Sequence, residues 1–445
     1  MSNVKFKVQP GGTIKGRIRV PGDKSISHRS IMLGAIAKGT TTVTGFLEGD
    51  DSLATLKAFQ EMGVEIEGPE QGNVTIKGVG LKGLKKPNNP LDMGNSGTAM
   101  RLMAGILAGQ DFDCELIGDA SLSKRPMKRV TDPLRLMGAQ IETSEDGMPP
   151  LKITGTGEQA SLKGIDYVLP MASAQVKSCV LLAGLYAEGT TSALEPAPTR
   201  DHTERMLNGF GYPVTSEKLG DQQMKASLKG GGELTARHID VPSDISSAAF
   251  FIAAATVSKG SELVVEHVGM NPTRVGIIEI LKLMGADIKL ENFHEVGGEP
   301  VADVHVKYAP LKGIHIPEAL VALAIDEFPV LFVVAATAEG QTVLTGAEEL
   351  RVKESDRIQV MADALQAVGV DATPTEGGMV INGGKQTPQT TGIQSHHDHR
   401  ISMAMTIAGL NAASEIIIDD CANVNTSFPT FIELINQVGM QVDVI

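Results

Sequence analysis

The chain has 445 residues, with 39 lysines and arginines against 53 aspartates and glutamates, and a formal net charge of −14. Because one hydrophobic core rarely organises a chain this long, at least two domains are expected. Its 42% hydrophobic and 21% charged residues are typical of a folded globular protein and exclude collagen, coiled coils and disordered tails. The acidic balance disfavours a nucleic-acid partner, since phosphate binding depends on clustered cations.

Residues 1–12 contain no apolar segment of the kind that a signal peptide needs, so a cytoplasmic protein is expected. Cys114, Cys179 and Cys421 are odd in number and far apart, which favours reduced thiols. The most apolar stretch, residues 316–340, contains several acids and a proline and would span a membrane poorly. It is predicted to be a buried helix with acids near its middle, and no membrane partner is expected.

A helical pattern recurs six times along the chain. Each copy starts at a polar residue suited to an N-cap, and the six openings are Asp23, Asn95, Ser173, Asp244, Asp326 and Asp398. The first five copies run to a glycine interpreted as the C′ residue, at Gly39, Gly109, Gly189, Gly260 and Gly340. A β-rich run follows each copy. The average spacing is about 74 residues, one sixth of the chain.

Each unit also contains a second helix that closes on a glycine and leads into an alternating strand. These closing glycines are Gly63, Gly138, Gly211, Gly285, Gly369 and Gly439. Two independent markers therefore share one period. The pattern predicts an α/β (α+β) protein built from six similar units of two helices and several strands.

A larger duplication divides the six units into two halves. The sequence of residues 20–25 is echoed by residues 241–246, about three units later. The predicted domains are residues 21–241 and residues 1–20 plus 242–445, with a hinge near Pro21 and Pro242. A ligand would occupy the cleft between two such domains.

Polar and cationic residues gather at the helix openings, where free N–H groups and helix dipoles attract anions. The residues singled out at the openings are Lys24, Ser25, Arg29, Gly97, Ser173, Gln175 and Arg400. Arg125 and Arg200 are assigned to second helices, as is the run 351–357, in which Lys353 and Arg357 share a face and Glu354 lies beside Arg357. A single cation is most often a solvated surface charge, and an aspartate at a helix start is most often a cap. Their joint placement at equivalent ends of a repeat favours function.

A metal site is not expected. His397 and His399, on either side of Asp398, are two residues apart and would not share a helix face, and no second ligand cluster is present.

Several segments together closely resemble the 5-enolpyruvylshikimate-3-phosphate (EPSP) synthase family. The segments are residues 22–29 (GDKSISHR), 94–98 (GNSGT), 124–127 (KRPM), 351–357 (RVKESDR) and 398–400 (DHR). The resemblance runs from residue 12 to about residue 432. It implies two similar domains, each of three βαβαββ units, in a pseudo-sixfold inside-out α/β arrangement with helix N-termini facing an interdomain cleft.

The resemblance also implies a reaction, in which the enolpyruvyl group of phosphoenolpyruvate is transferred to the 5-hydroxyl of shikimate 3-phosphate and phosphate is released, as in aromatic amino-acid biosynthesis. Neither a metal nor an organic cofactor is implied, and a monomer is expected. The implied shikimate 3-phosphate ligands are Lys24, Ser25, Arg29, Ser173, Gln175, Arg200, Asp326 and Lys353. The implied phosphoenolpyruvate ligands are Lys24, Gly97, Arg125, Gln175, Arg357 and Arg400. The implied catalytic groups are Asp326 for the hydroxyl proton, with Glu354 and Lys24 for the enol carbon.

Two departures from the family pattern bear on inhibitor binding. Many members have Ser-Ser-Gln where this chain has residues 173–175 (SAQ), and Lys-Thr-Phe-Pro where it has residues 426–429 (TSFP). The second removes a cation near phosphoenolpyruvate. Both resemble the divergent branch that contains glyphosate-tolerant enzymes, whereas Gly97, where some tolerant members carry alanine, favours glyphosate sensitivity.

Two other hypotheses stay open at this point. The sister enzyme that transfers enolpyruvyl to UDP-N-acetylglucosamine has the same fold and uses a loop cysteine, for which Cys114 is the candidate. A pseudo-sixfold ring or scaffold without turnover is the other, although it leaves Asp326, Glu354 and the grouped cations unexplained.

Overall fold

The computed structural model describes residues 4–157, 161–220, 223–384 and 392–445, so the start of the predicted N-terminal segment, residues 1–3, lies outside it. Helices and strands alternate throughout, which confirms the α/β class. The α-helices are α1 (Lys24–Ile36), α2 (Asp50–Glu61), α3 (Gly97–Leu107), α4 (Lys128–Leu136), α5 (Ala174–Gly184), α6 (His202–Gly209), α7 (Ile245–Val257), α8 (Gly276–Leu283), α9 (Phe328–Thr337), α10 (Arg357–Ala367), α11 (His399–Ala408) and α12 (Phe431–Gln437).

The strands are short and follow the helices in a regular order. They are β1 (Phe6–Val8), β2 (Lys15–Ile18), β3 (Lys38–Thr44), β4 (Glu65–Glu70), β5 (Asn73–Val79), β6 (Leu91–Asp92), β7 (Cys114–Ile117), β8 (Gln140–Glu142), β9 (Leu151–Thr154), β10 (Leu162–Lys163), β11 (Asp166–Val168), β12 (Ala187–Glu188), β13 (Thr190–Glu195), β14 (Val214–Leu219), β15 (Gln223–Lys229), β16 (His238–Asp240), β17 (Glu262–Gly269), β18 (Asp287–Val296), β19 (Glu299–Lys307), β20 (Gly340–Leu344), β21 (Asp371–Thr375), β22 (Gly378–Gly383), β23 (Gly392–Gln394), β24 (Ile416–Asp419) and β25 (Val442–Val444). Nowhere in the described ranges is a helix both long and apolar enough to cross a membrane.

The chain divides into two compact units. The first unit is Gly22–Val241 together with Val296–Gly298, and the second unit is Met1–Pro21, Pro242–Glu295 and Glu299–Ile445. Each unit encloses its own cluster of buried apolar side chains. Two separate cores of this size are what the chain length predicts.

The first unit contains three four-stranded sheets of one topology. Their strand orders are β16-β3-β5-β4, β6-β7-β9-β8 and β11-β13-β15-β14. In each sheet the first two strands are parallel and the remaining pairs are antiparallel. Two of them follow the chain directly as strand, helix, strand, helix, strand, strand, as in β6-α3-β7-α4-β8-β9. This is the predicted βαβαββ unit.

The second unit also contains three sheets, one of which has three strands instead of four. Its sheets are β18-β19-β17-β2, β20-β22-β21 and β23-β24-β1-β25. In the three-stranded sheet the missing position is represented by two isolated parallel bridges, Lys312 to Glu339 and His315 to Val343. The N-terminal strand β1 completes the last sheet by pairing with both β24 and β25.

Strands β2 and β16 lie directly before the two points where the chain passes from one unit to the other. Strand β2 directly precedes α1 in sequence but pairs with β17 of the second unit. Strand β16 directly precedes α7 but pairs with β3 of the first unit. The first unit is therefore completed by a strand from its own C-terminal end, whereas the second unit is completed by a strand that precedes the first unit in sequence.

Four of the six predicted helix openings are N-caps. Asp23, Ser173, Asp244 and Asp398 each accept a hydrogen bond from a backbone N–H in the first turn of the following helix. The prediction was wrong by one residue in α3, where Ser96 is the cap in place of Asn95. It was also wrong in α9, where Glu327 holds the N-cap position and Asp326 precedes it.

The glycines divide into two kinds. All six closing glycines of the second helices stand at C′ with φ between 79° and 120°. In each the C′ and C″ amides bond back to the last turn, for example Gly63 N–H to Gln60 and Val64 N–H to Phe59, both at 3.0 Å. These are Schellman motifs, which favour glycine because of the left-handed φ.

The C′ assignment for the first helices was largely wrong. Helices α1, α5, α7 and α9 end too early for the predicted glycine to be their C′ residue. The four glycines lie further along the chain, with φ between 82° and 101°: Gly39, Gly189, Gly260 and Gly340. They mark the turn into the following strand. Only Gly109 stands at the C′ position, directly after the α3 C-cap Ala108.

Residues 316–340 do not form one helix. They contain two 3₁₀ turns, Glu318–Leu320 and Ala322–Ala324, followed by α9. Pro329 lies at the start of α9, where its missing N–H is tolerated, so the helix begins there and the acids stay outside it. Asp326 is consequently on irregular backbone just before a buried helix.

Candidate active site

The first unit brings together the N-termini of α1, α3 and α5 through side-chain hydrogen bonds. His28 of α1 lies with its Nε2 3.5 Å from the Ser96 Oγ that caps α3. Arg29 of α1 donates to the Ser178 Oγ of α5 at 2.9 Å. Arg101 of α3 donates to the Gln175 Oε1 of α5 at 2.6 Å. The three openings therefore face one region, where their free N–H groups can receive anions.

Lys24 and Arg29 occupy different surroundings on α1. The Lys24 ammonium forms an ion pair with the Asp51 carboxylate of α2, and its side chain is 28% exposed. Arg29 is buried and donates to the Ser25 backbone oxygen at 2.9 Å and to Thr203 Oγ1 at 2.7 Å. Lys24 is thus accessible to a ligand, while Arg29 is fixed in place by hydrogen bonds to Ser25, Thr203 and Ser178.

Gly97 and Arg125 lie together at the α3 opening. A Cβ at Gly97 would stand 3.0 Å from Arg101 Nη1 and 3.4 Å from Arg125 Nη1. Arg125 donates to the Asn95 side-chain oxygen at 2.8 Å. It follows a 3₁₀ turn, Leu122–Lys124, and is outside the second helix to which the sequence assigned it.

Arg101 was missed as a candidate, although it lies four residues after Gly97 on the same helix. Its Nη1 holds one end of the Gln175 amide, and the other end donates to Thr98 Oγ1 at 3.1 Å. The i,i+4 spacing from Gly97 was the sequence signal available for it.

Arg200 also lies before its helix, in the connection between β13 and α6. Ser173 caps α5 by accepting from Val176 N–H at 3.4 Å. The eight sequence-predicted residues of the first unit are therefore all at or near helix openings: Lys24, Ser25, Arg29, Gly97, Arg125, Ser173, Gln175 and Arg200.

In the second unit, Arg357 is the centre of a cluster of charges. Its guanidinium donates to Asp398 at 2.8 Å, to Glu354 at 2.6 Å and to Asp326 at 3.4 Å. The side chain of Arg357 is 1% exposed. Burial alone would lower the pKa of this guanidinium, but the carboxylates of Asp398, Glu354 and Asp326 outweigh it and raise the pKa above its ordinary value. Arg357 is charged under all conditions.

Asp326 has contacts on both its carboxylate and its backbone. Its carboxylate lies 3.6 Å from the Lys353 ammonium and 3.4 Å from Arg357. Its backbone oxygen accepts from Arg400 Nη1 at 3.0 Å. The predicted shared helix face of Lys353 and Arg357 was wrong, because Lys353 follows a 3₁₀ turn and precedes α10. The two cations meet through Asp326 instead.

A buried network behind Asp326 fixes the start of α9. Glu327 accepts from Ser246 Oγ of α7. Arg274 donates to the same Ser246 Oγ at 2.6 Å and to Asp244 at 3.0 Å. All four side chains are buried. The residue next to Asp326 is therefore held by α7, which explains how irregular backbone can keep one geometry.

Cys114 has little thiolate character. It lies in β7 opposite Ile153 of β9, and burial together with the Asp113 carboxylate raises the pKa of its thiol to about 12. A reactive cysteine requires a lowered pKa, so this residue does not support the sister-transferase hypothesis. In the part of the chain that the structure describes, no group of three or more histidine, cysteine, aspartate or glutamate side chains is arranged to hold a metal ion.

Comparison with known proteins gives one consistent family. Residues 8–435 match the EPSP synthase family (3-phosphoshikimate 1-carboxyvinyltransferase). A 3-phosphoshikimate 1-carboxyvinyltransferase of Hydrogenovibrio crunogenus is 79% identical over 441 residues, covering 99% of this chain and 98% of the relative. One of Methylococcus capsulatus is 61% identical, covering 99% of each.

Solved structures agree with this. EPSP synthase from Acinetobacter baumannii has 60% identity and a TM-score of 0.89, covering 99% of this chain and all of that one. The enolpyruvyl transferase NikO from Streptomyces tendae has 15% identity and a TM-score of 0.78, which is a likeness of fold alone.

Proposed function

The chain belongs to the EPSP synthase family and is an enolpyruvyl transferase, and from that premise we propose how its residues carry out the transfer from phosphoenolpyruvate to the 5-hydroxyl of shikimate 3-phosphate. The observation that carries the proposal is the Arg357 cluster, which holds Asp326 and Glu354 on one buried guanidinium. Two carboxylates beside a fixed cation provide a base and an acid at a site for anions.

The shikimate 3-phosphate ligands are proposed to be Lys24, Ser25, Arg29, Ser173, Gln175, Arg200, Asp326 and Lys353. Arg29 and Arg200 present guanidinium groups that match the geometry of a phosphate, and Ser173 and Ser25 lie at helix N-termini that favour anions. Lys24 and Gln175 are proposed to contact both substrates.

The phosphoenolpyruvate ligands are proposed to be Lys24, Gly97, Arg125, Gln175, Arg357 and Arg400. Gly97 leaves the backbone of the α3 opening open to a ligand between two arginine side chains. Arg125, Arg357 and Arg400 suit the carboxylate and phosphate of this substrate because a guanidinium can bind either group with two parallel hydrogen bonds.

The chemical step is an addition followed by an elimination. Asp326 takes the proton of the 5-hydroxyl while the hydroxyl oxygen forms a bond to C2 of phosphoenolpyruvate. At the same time protonated Glu354, assisted by Lys24, gives a proton to C3. The product of this addition is a tetrahedral ketal. On collapse, the new methyl group returns a proton to Glu354, the bond from C2 to the phosphate oxygen breaks, and phosphate leaves with the proton held by Asp326.

Bound anions help Glu354 to act as an acid. In the structure Glu354 pairs with Arg357 at 2.6 Å. A phosphate or carboxylate bound to the same guanidinium would compete for it, and the Glu354 carboxylate would then take up a proton more readily. The substrate thereby helps to prepare its own acid.

The test is phosphate release from phosphoenolpyruvate, measured with shikimate 3-phosphate and separately with UDP-N-acetylglucosamine. Release only with shikimate 3-phosphate, reduced at least about a hundredfold in Lys24→Ala and Asp326→Ala, is the expected result. The exposed residues Lys57 and Asp363 provide matched controls, and Lys57→Ala and Asp363→Ala should retain full activity. Release with the sugar nucleotide alone, or full activity in both site variants, would overturn the proposal.

We also propose that the enzyme acts as a cytoplasmic monomer without nucleic acid. Both substrates carry several negative charges and do not cross a bilayer unaided, so the enzyme must share the compartment in which they are made. The net charge of −14 disfavours nucleic acid. Light scattering after size-exclusion chromatography tests the oligomeric state, and cell fractionation tests the location.

A further inference from the structure

A buried lysine lies two residues after Gln175 on helix α5. The Lys177 side chain is 2% exposed, and its ammonium stands 2.8 Å from Glu195 Oε1 and 2.9 Å from Glu204 Oε1. It also donates to the backbone oxygen of Thr199 at 3.4 Å. An ammonium has three N–H donors, so these three acceptors use all of them.

The three acceptors lie along a single connection. Glu195 ends β13, Glu204 is in the first turn of α6, and Thr199 lies between them. Glu195 also accepts from the Thr199 N–H at 3.2 Å and from its hydroxyl at 2.5 Å. The Lys177 ammonium therefore fixes the beginning, middle and end of the connection, and Arg200 is the residue directly after Thr199.

The next residue of α5, Ser178, contacts Arg29, the other arginine that is proposed to bind phosphate. Ser178 accepts from Thr203 Oγ1 at 2.7 Å and from Arg29 Nη2 at 2.9 Å. Thr203 lies beside Glu204 at the start of α6. Lys177 and Ser178 thus bind consecutive residues of α6, and this contact sets the position of α6 relative to Arg29.

Stability alone is a weak reason for burying these charges, because replacing a buried ion pair with apolar residues is often neutral or stabilising. Burial raises the pKa of the Glu204 carboxyl, which shows how unfavourable its surroundings are for charge. Burial alone would also lower the pKa of the Lys177 ammonium, but Glu204 and Glu195 outweigh it and raise that pKa. The arrangement instead gives the connection a single geometry, which a fully satisfied network of directional hydrogen bonds specifies.

We propose that Lys177 is a positioning residue for shikimate 3-phosphate, acting by holding Thr199 so that Arg200 meets the phosphate. The inference rests on the proposed function, in which Arg200 and Arg29 bind that phosphate. It predicts weaker binding of shikimate 3-phosphate only. Gly97 and Arg125, which are proposed to bind phosphoenolpyruvate, do not depend on the connection between β13 and α6.

The experiment measures the dissociation constant of shikimate 3-phosphate without phosphoenolpyruvate, and the KM of each substrate, for Lys177→Met, Lys177→Arg and Thr199→Val. Lys177→Met should weaken shikimate 3-phosphate binding about tenfold or more, the effect of misaligning one charge-assisted hydrogen bond. Lys177→Arg should recover part of this affinity. Thr199→Val should weaken binding about threefold, because it removes one hydroxyl contact and leaves no buried charge unpaired.

In every variant the KM for phosphoenolpyruvate should stay within about twofold of the wild-type value, by the same affinity arithmetic. Val180→Ala is the control for loss of packing on the same helix, since Val180 is fully buried in the core of the first unit. It should lower thermal stability without changing either substrate constant.

Equal weakening of both substrates, unchanged shikimate 3-phosphate binding in Thr199→Val, or weakening of the same size in Val180→Ala would each overturn the inference. Thr199→Val decides the question if Lys177→Met does not fold. Failure of the wild-type protein to bind shikimate 3-phosphate would instead reject the proposed function.

Discussion

At the scale of single residues, the site depends on side chains whose conformation is fixed by several partners. Arg357 contacts three carboxylates, and Arg29 is held by α5, α6 and its own helix. Such residues lose little conformational entropy when a ligand binds, because they are already ordered. Lys24 differs, since it pairs with Asp51 and its side chain stays partly exposed.

Adding a methyl group at Gly97 tests whether this residue is part of the proposed phosphoenolpyruvate site. In Gly97→Ala the Cβ would lie 3.0 Å from Arg101 Nη1, so the end of this flexible side chain must move by a few tenths of an ångström. We expect the KM for phosphoenolpyruvate to rise about three- to tenfold, with the binding of shikimate 3-phosphate unchanged. Steady-state kinetics with each substrate varied in turn gives the answer, and an unchanged KM for phosphoenolpyruvate would place this substrate elsewhere.

His28 provides a pH-dependent contribution to stability. Desolvation lowers the pKa of its imidazole from 6.5 to about 3, and Thr55 Oγ1 lies 2.8 Å from its Nδ1. Between these two values the unfolded chain binds a proton that the folded chain does not. Stability from this residue is therefore complete above pH 6.5 and is lost as the pH falls towards 3.

Hydrogen exchange of the α1 amides in the wild type and in His28→Gln tests this contribution. The exchange rates give the free energy of opening of each protein. The advantage of the wild type should shrink by about 2 to 3 kcal/mol between pH 7 and pH 4.5. A constant difference between the two proteins over this range would show that His28 binds a proton as readily in the folded chain as in the unfolded chain.

At the scale of elements, the two kinds of helix end have different roles. The second helices end in Schellman motifs that turn the chain into a strand, while every first helix except α9 opens on a side chain that accepts a hydrogen bond from its first turn. The same repeat therefore supplies a rigid closure from one helix and free backbone N–H groups from the adjacent helix. Four of the six caps are aspartate or serine at the residue that the sequence predicted.

Gly138 isolates the cost of the left-handed turn. It has φ of +98°, and nothing lies within 4 Å of where its Cβ would be. Gly138→Ala should therefore destabilise α4 by about 1 to 2 kcal/mol through backbone strain alone, and Gly138→Asn by less. Urea denaturation followed by circular dichroism measures both, and equal stability of Gly138→Ala and the wild type would contradict the assigned conformation.

At the scale of the whole molecule, the two units are unequal as chain segments, because β1 and β2 of the second unit precede the first unit in sequence. The first unit is almost continuous in sequence, with its own core and three complete sheets. The second unit needs β1 and β2 from the N-terminus to complete two of its sheets. One half of the chain can therefore fold as a segment, while the other cannot.

We expect a fragment of residues 22–241 to fold cooperatively by itself and a fragment of residues 242–445 not to do so. Joining residues 1–21 to the end of the second fragment through a short linker should restore folding, since Lys5 N–H bonds Ile445 oxygen at 3.0 Å and the two ends are adjacent. Circular dichroism and thermal unfolding of the three fragments decide this. Folding of residues 242–445 alone would show that β1 and β2 are dispensable.

The amino-acid sequence alone predicted the repeat, the α/β class, four of the six helix openings and the cations grouped near them. These follow from local rules: N-cap chemistry, glycine at left-handed positions and hydrophobic periodicity act over a few residues and are visible in one dimension. The family motifs lie at the same openings for the same reason, because ligand-binding N–H groups are those that a helix leaves free.

Which charged groups meet depends on how distant parts of the chain pack together. Lys353 and Arg357 come together through Asp326, which is some thirty residues away, and Asp398 reaches Arg357 from a different helix. Lys177 is an unremarkable helix residue in sequence, and its role depends on Glu195 and Glu204, which reach it through strand pairing and helix packing. Such contacts are set by long-range packing of elements, for which one sequence contains no local signal.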